Sequence, residues 1–224
     1  MAKAAGAKTG ARPLSRVGDA DLVERRRAQI VEAATRLVAR QGFAKTVVRD
    51  IAEEANISVG LVYEYVRSKE DILFLIYEHW ARVWCDGLEK ALSRAQDPLD
   101  QLMAGVSFLV ATADKHSDVT HLFYRETGHL SEFGTDQSKQ TEREMVDRMT
   151  AVLESAVEAE LLRPETDCVM VATSLILLCH GWVLKGYLLR KGRTPAAYAA
   201  SLVETAVNGW ATPAGRKALE RRRS

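Results

Sequence analysis

Three cysteines in 224 residues are too few for a disulfide framework. Cys168 and Cys179 stand eleven positions apart, about 16 Å along a helix axis, beyond the reach of a bridge if that segment is helical. No CxxC occurs, so reduced thiols in a cytoplasmic protein are the expectation. A charge excess is also missing: 31 Lys/Arg against 30 Asp/Glu, net +1, excludes a uniformly polybasic chain. The most apolar stretch, Cys168–Leu184, carries Thr173, Ser174 and His180 and is short for a bilayer span, so no membrane partner is expected. The opening MAKAAGAKTGARPLSRVG lacks the apolar core of a signal peptide. Alternation with period two is absent, which argues against sheet. G-x-S-x-G, Walker A, G-x-G-x-x-G and H-E-x-x-H are all missing. None of His79, His116, His121, His129 and His180 stands four residues from another, so a helical metal site has no anchor. Neither catalysis, a metal nor a cofactor is expected.

What remains is an ordinary globular composition, 47% hydrophobic and 27% charged, long enough for one large domain or two smaller ones. Its charge is uneven. Residues 1–50 hold eleven Lys/Arg against five Asp/Glu, a net +6, which leaves about −5 for the rest of a chain whose total is +1. A basic end on a mildly acidic body points to an anionic partner at that end.

Apolar positions recur at helical spacing almost throughout, predicting an all-α chain of about nine helices. Ile30, Ala33, Ala34, Leu37 and Val38 share one face of a first helix that Gly42 is placed to end. Thr46 and Ser58 suit N-caps of two short helices, and Ser68 with Asp71 suits the start of a long one. Pro98, Pro164 and Pro195 each open a later helix, the one from Pro164 running to about Leu189, and Gln140–Leu161 reads as a long amphipathic helix after a Gly/Ser-rich stretch, 127–138. Four segments follow: a flexible basic arm over 1–20, three short helices over 21–68, a helical body over 69–211, and a basic tail over 212–224.

Arg49–Leu73, RDIAEEANISVGLVYEYVRSKEDIL, poses the sharpest question. A good helix breaks after Ala55, only for a second short one to begin at Val59. A tight turn between two short helices lets the second enter a DNA major groove while the first lies across it. Asn56 can take the left-handed conformation the break needs, and Ile57 can plug the space between the helices. Gly60 lowers helix propensity, which makes sense if the backbone must closely approach something outside.

These residues resemble the DNA-binding domain of the TetR family of bacterial transcriptional regulators. Gly42, Phe43, Thr46, Ile51, Ala52, Ala55, Ser58, Gly60, Tyr63, Tyr65, Ser68, Lys69, Glu70 and Ile72 stand in that family's order and spacing over about fifty residues. The chain departs from the pattern at Val47, Asn56, Leu61 and Val66, of which Leu61 should alter base preference. The resemblance implies an N-terminal helix-turn-helix domain, a larger helical ligand-binding and dimerisation domain, and a homodimer on palindromic double-stranded operator DNA. Implied DNA contacts are Arg25, Thr46 and Arg49, then Ser58, Val59, Gly60 and Leu61 in the groove, with Tyr63, Tyr65 and Lys69 on phosphates. Lys3, Lys8, Arg12 and Arg16 of the arm add a salt-dependent contribution.

The last two-thirds shows no comparable motif. Trp80, Trp84, Met103, Phe108, Phe123, Tyr124 and Met149 concentrate there and are the candidate lining of an effector site, with Arg125 and Glu126 placed either to orient a polar head or to pair with each other. A largely apolar small molecule suits that set, and the family resemblance adds an acyl-CoA-like one as an implied class. The resemblance implies that the last two helices pair with those of a second copy, which makes Leu175, Trp182, Tyr198, Leu202, Ala206 and Trp210 the candidate dimer contacts; the helix from Cys168, apolar nearly all round, must be covered on every side by such a partner or by the chain's own core. A repressor released by its ligand is the leading reading. A constitutive DNA-binding regulator shares the first domain and differs only in lacking a ligand response.

Overall fold

The computed structural model describes residues 20–126 and 132–222. They form an all-α protein of eleven helices. The chain divides into two compact units, one holding the residues up to His79 with Glu126–Gln137, the other Trp80–Arg125 with the residues from Ser138 on. Among the described residues no helix is long and apolar enough to cross a membrane.

In the first unit α1 (Ala20–Gln41) buries Ile30, Val31, Ala33, Ala34, Leu37 and Val38 along one stripe. Each of the larger side chains contributes about 1.5–3 kcal/mol. Gly42 ends α1 at φ 83°, its N–H donating to the Val38 carbonyl at 2.9 Å. α2 (Val48–Glu54) has Val47 as its N-cap residue, with no side-chain capping bond. Thr46 therefore does not cap α2 as expected. It stands one residue too early and is fully buried, its hydroxyl donating to the Gly42 carbonyl at 2.9 Å.

α2 ends in the break that the sequence signalled. Asn56 is left-handed at φ 53°. Its N–H donates to the Glu53 carbonyl at 3.0 Å, and that of Ile57 to the Ala52 carbonyl at 2.9 Å. This paired pattern satisfies the helix's last carbonyls while reversing the chain. Ser58 then caps α3 (Val59–Tyr65) by accepting from the Leu61 N–H at 3.1 Å. α4 (Lys69–Leu92) starts with Ser68 accepting from the Asp71 N–H at 3.2 Å, while Asp71 accepts from the Arg67 N–H at 2.8 Å.

The second unit contains the remainder of α4 with α5 (Pro98–Lys115) and α6 (Ser117–Glu126), apart from Glu126. It also contains α7 (Glu132–Glu158) from Ser138 on, α8 (Cys168–Leu184), α9 (Gly186–Leu189), α10 (Pro195–Trp210) and α11 (Pro213–Arg221). α5 packs on α8 and α10. The Phe108 ring lies where a Cβ on Gly87 would be, so that glycine admits the ring. Trp182 Nε1 donates to Asp114 Oδ1 at 2.8 Å, and Arg190 pairs with the same oxygen at 3.2 Å.

Four boundaries differ from the sequence reading. α7 begins at Glu132, inside the stretch read as a loop, of which residues 127–131 lie outside the described residues. α8 opens at Asp167, which accepts from the Met170 N–H, and Pro164 precedes it in a turn. Lys185 separates α8 from α9, which divides one expected helix into two. Residues 213–221 are helical and not a tail. Thr212 caps α11 through the Gly215 N–H, and Arg222 pairs with Asp97 and Asp100 at the start of α5. Distant ion-pair partners of this kind leave no local pattern in a short basic segment.

Candidate nucleic-acid interface and effector region

α3 has two unlike sides. Val62, Tyr65 and Val66 are buried, while Ser58, Val59, Gly60, Tyr63 and Glu64 are exposed and Leu61 is half-buried. Tyr63 is 52% exposed and Tyr65 1%, so only the first presents its ring and hydroxyl to a partner. Arg49 is exposed on α2, and exposed Arg25 on α1 donates through Nε to the Asp21 carbonyl at 3.3 Å. Of the expected DNA contacts, Arg25, Arg49, Ser58, Val59, Gly60, Leu61 and Tyr63 reach the surface. Thr46 and Tyr65 are turned inward as core. The alternation that spaces two tyrosines by two residues places them on nearly opposite sides of a helix. The arm residues lie outside the described residues.

Lys69 has a structural partner. Its Nζ donates to the Ala44 carbonyl at 3.1 Å and lies 4.3 Å from the Phe43 ring centroid, closing the turn between α1 and α2. The same turn is held by Glu126, nearly fully buried, whose Oε1 accepts from the Phe43 N–H at 3.2 Å. On the other side Gln29 donates to the Ala55 carbonyl at 2.5 Å and accepts from Arg26 at 2.8 Å, pinning the end of α2 to α1. Arg36 and Arg40 both pair with Glu54, and the Arg36 hydrogen bond chiefly holds that carboxyl below its usual range. Gln29, Arg36 and Glu126 thus tie α1, α2 and the turn between them together. Nothing in their local sequence marks them, because each acts over a separation of 18 residues or more.

The expected effector residues divide. Trp84, Phe123 and Tyr124 come together: the Trp84 and Phe123 rings are 5.2 Å apart and edge-on. His180 joins them, 5.8 Å from Trp84, with its Nδ1 3.0 Å from the Tyr124 hydroxyl. Burial pushes the His180 imidazole down, and burial followed by Glu142 pushes the Tyr124 hydroxyl up. The Trp80 ring centroid lies 4.5 Å from that of His116, the two planes tilted by 55°. Phe108 and Met149 serve packing, against Gly87 and Gly105 respectively, and Met103 packs partly buried on the core. Arg125 is exposed. His180 escaped the sequence reading, although a lone histidine within the most apolar helix was the available signal. A groove of about 460 Å³ lies elsewhere in this unit, lined by Glu154, Glu158, Thr166, Asp167 and Cys168. It has neither the aromatic lining nor a cationic group.

Half of the expected dimer contacts are buried inside the chain itself. Leu175 and Trp182 are buried within the protomer, as is Tyr198 of α10, whose hydroxyl donates to the Leu178 carbonyl at 2.9 Å. The side of α8 left outward carries Val169, Met170, Leu177 and Leu178, and Tyr187 and Leu188 of α9 are exposed as well. Leu202, Ala206 and Trp210 of α10 are half-buried.

Both parts of the chain match sequence families. Residues 30–76 match the family described as bacterial regulatory proteins, tetR family, and residues 95–210 match the tetracyclin repressor-like C-terminal domain. The HTH-type transcriptional regulator HbdR of Aromatoleum sp. (strain CIB) is 30% identical over 169 residues, covering 75% of this chain and 73% of that protein. FadR from Bacillus subtilis, solved in complex with stearoyl-CoA, shares the fold at TM-score 0.71 and 16% identity, covering 81% of this chain and 98% of that one. AibR, solved in complex with isovaleryl coenzyme A and operator DNA, does so at TM-score 0.68 and 21% identity, covering 80% and 97%. With a helix-turn-helix unit, an all-helical body and sequence matches over both, the chain belongs to the TetR family of bacterial transcriptional regulators.

Proposed function

We propose that this chain is a ligand-responsive repressor that binds a palindromic operator as a homodimer and is released by a largely apolar small molecule, with acyl-CoA thioesters the first class to test. Residues 21–68 form the DNA-binding domain and residues 69–211 the effector and dimerisation domain. The observation that carries the reading is the two-sided α3, with Val62, Tyr65 and Val66 locked inside and Val59, Gly60 and Tyr63 outside, next to the left-handed turn at Asn56. In a dimer, two such helices spaced about 34 Å apart reach successive major grooves.

The outward apolar residues of α8 support pairing with a second copy, because exposed leucines and methionines on one helix side are stabilised most by being covered. The Trp84, Phe123, Tyr124 and His180 cluster supports an apolar or aromatic ligand with one hydrogen-bonding group. FadR with stearoyl-CoA and AibR with isovaleryl coenzyme A supply the ligand class by analogy of fold. A ligand that prefers the conformation with wider-spaced reading helices weakens DNA binding by its differential affinity for the two states.

The test is fluorescence anisotropy of the purified protein on DNA flanking its own gene, against scrambled DNA, repeated with acyl-CoAs and free fatty acids. Selective binding that one class reverses supports the reading, and Trp84→Ala should then blunt the reversal more than the binding. Selective binding unchanged by every ligand would favour a constitutive regulator.

A further inference from the structure

Nothing inside the protein requires the glycine at position 60. It has no left-handed backbone, since among the described glycines only Gly42 and Gly192 take positive φ. A Cβ built there would meet only the Ser58 Oγ, at 3.9 Å, an ordinary contact. Yet glycine is the poorest helix former after proline. A residue that weakens its helix and leaves open space outside answers to something beyond the chain.

Its neighbours show what that is. At 100° per residue Gly60 lies near the middle of the exposed side of α3, between Val59 with Tyr63 and Leu61 with Glu64. Val59 is 37% exposed and Leu61 half-buried. The two flanks of that side, Val59 and Leu61, therefore offer hydrocarbon where Arg, Lys, Asn or Gln would form bidentate bonds to guanine or adenine, while Tyr63 and Glu64 lie nearer its middle. The Ser58 Oγ already accepts from the Leu61 N–H. The thymine 5-methyl is the apolar group that base pairs display in the major groove. Set against guanine edges, Val59 and Leu61 would strip acceptors of water without replacing the bonds, and that penalty outweighs the dispersion attraction between the surfaces.

We propose that α3 reads its half-site by packing Val59 and Leu61 on thymine methyl groups, with Gly60 the point where the helix backbone comes closest to the base edges. This rests on the reading of residues 48–65 as the DNA reader. Glu64, exposed on the same helix, is the rival, because a carboxylate accepts from cytosine N4.

The experiment starts with selection of bound duplexes from random sequence by the full chain, followed by affinity measurements on the selected site with single dT→dU replacements. Each methyl in contact with Val59 or Leu61 should be worth about fourfold in affinity. Leu61→Ala or Val59→Ala should erase the dU penalty at one position and leave the others. Gly60→Ala should raise or preserve the thermal midpoint yet weaken the selected site at least tenfold, with sequence-independent binding less affected. Tight selective binding that tolerates dU everywhere, or a half-site of G·C pairs lost in Glu64→Gln, would overturn the methyl reading while leaving the DNA-binding function intact. A Gly60→Ala variant that binds normally would overturn the close approach. Failure to select any sequence would instead overturn the DNA-binding reading itself.

Discussion

The Phe43 backbone N–H donates to the buried carboxylate of Glu126, 83 residues away in sequence and 3.2 Å away in space. This bond fixes the turn between α1 and α2, next to the Ala44 carbonyl that Lys69 holds. Glu126 is also the last residue of α6, the helix that carries Phe123 and Tyr124.

Glu126→Ala should leave that turn's amide without its acceptor, a loss of about 1–3 kcal/mol. Faster hydrogen exchange at the Phe43 amide and a several-fold weaker operator complex are the expected outcomes. Glu126→Gln keeps an acceptor oxygen and should retain most of both. Equal behaviour of the two variants would show that the bond does not position the reader.

Two leucines on α8 should behave oppositely. Leu178, 48% exposed, should when changed to Asp yield a monomer with native helix content. Leu175, 1% exposed, should on truncation to Ala cost roughly 2–5 kcal/mol of stability. Sedimentation velocity and urea unfolding separate the two, and a dimer that survives Leu178→Asp would exclude the outward side of α8 as its interface.

Asp114 accepts from the buried Trp182 indole and pairs with Arg190. Asp114→Ala should destabilise the chain by about 1–3 kcal/mol. For a chain of this size each kcal/mol corresponds to a Tm loss of roughly 2–4 °C. Asp114→Asn preserves an acceptor for the indole and should lose less. A calorimetric scan of the pair decides whether the hydrogen bond or the charge matters.

Burial keeps the His180 imidazole below its ordinary value of 6.5, so the unfolded chain takes up a proton that the folded chain resists. The stability this confers is complete above 6.5 and lost as pH falls through the lower folded value. His116, pushed down by burial and then by Lys115, acts with the same sign. Urea midpoints should therefore drop as the pH is lowered from about 8 to below the ordinary value of 6.5, with a shallower slope in His180→Gln. An unchanged slope would mean that His180 is solvated in the folded chain.

Sequence alone determined the features that depend on neighbours along the chain. The helical period, the caps at Ser58 and Ser68, the left-handed Asn56 and the family motif from Gly42 to Ile72 all follow from residues within a few positions of one another. Tertiary structure decided which side of each helix faces inward. α8 is apolar all round, so no periodicity could distinguish Leu175 from Leu178, and the packing of α5 and α10 made that choice. The same dependence placed Tyr65 inside and Tyr63 outside, brought His180 beside Trp84, and paired Arg222 at the end of α11 with Asp97. Burial and long-range hydrogen bonds arise from chain segments meeting in space, and a local pattern carries no record of that meeting.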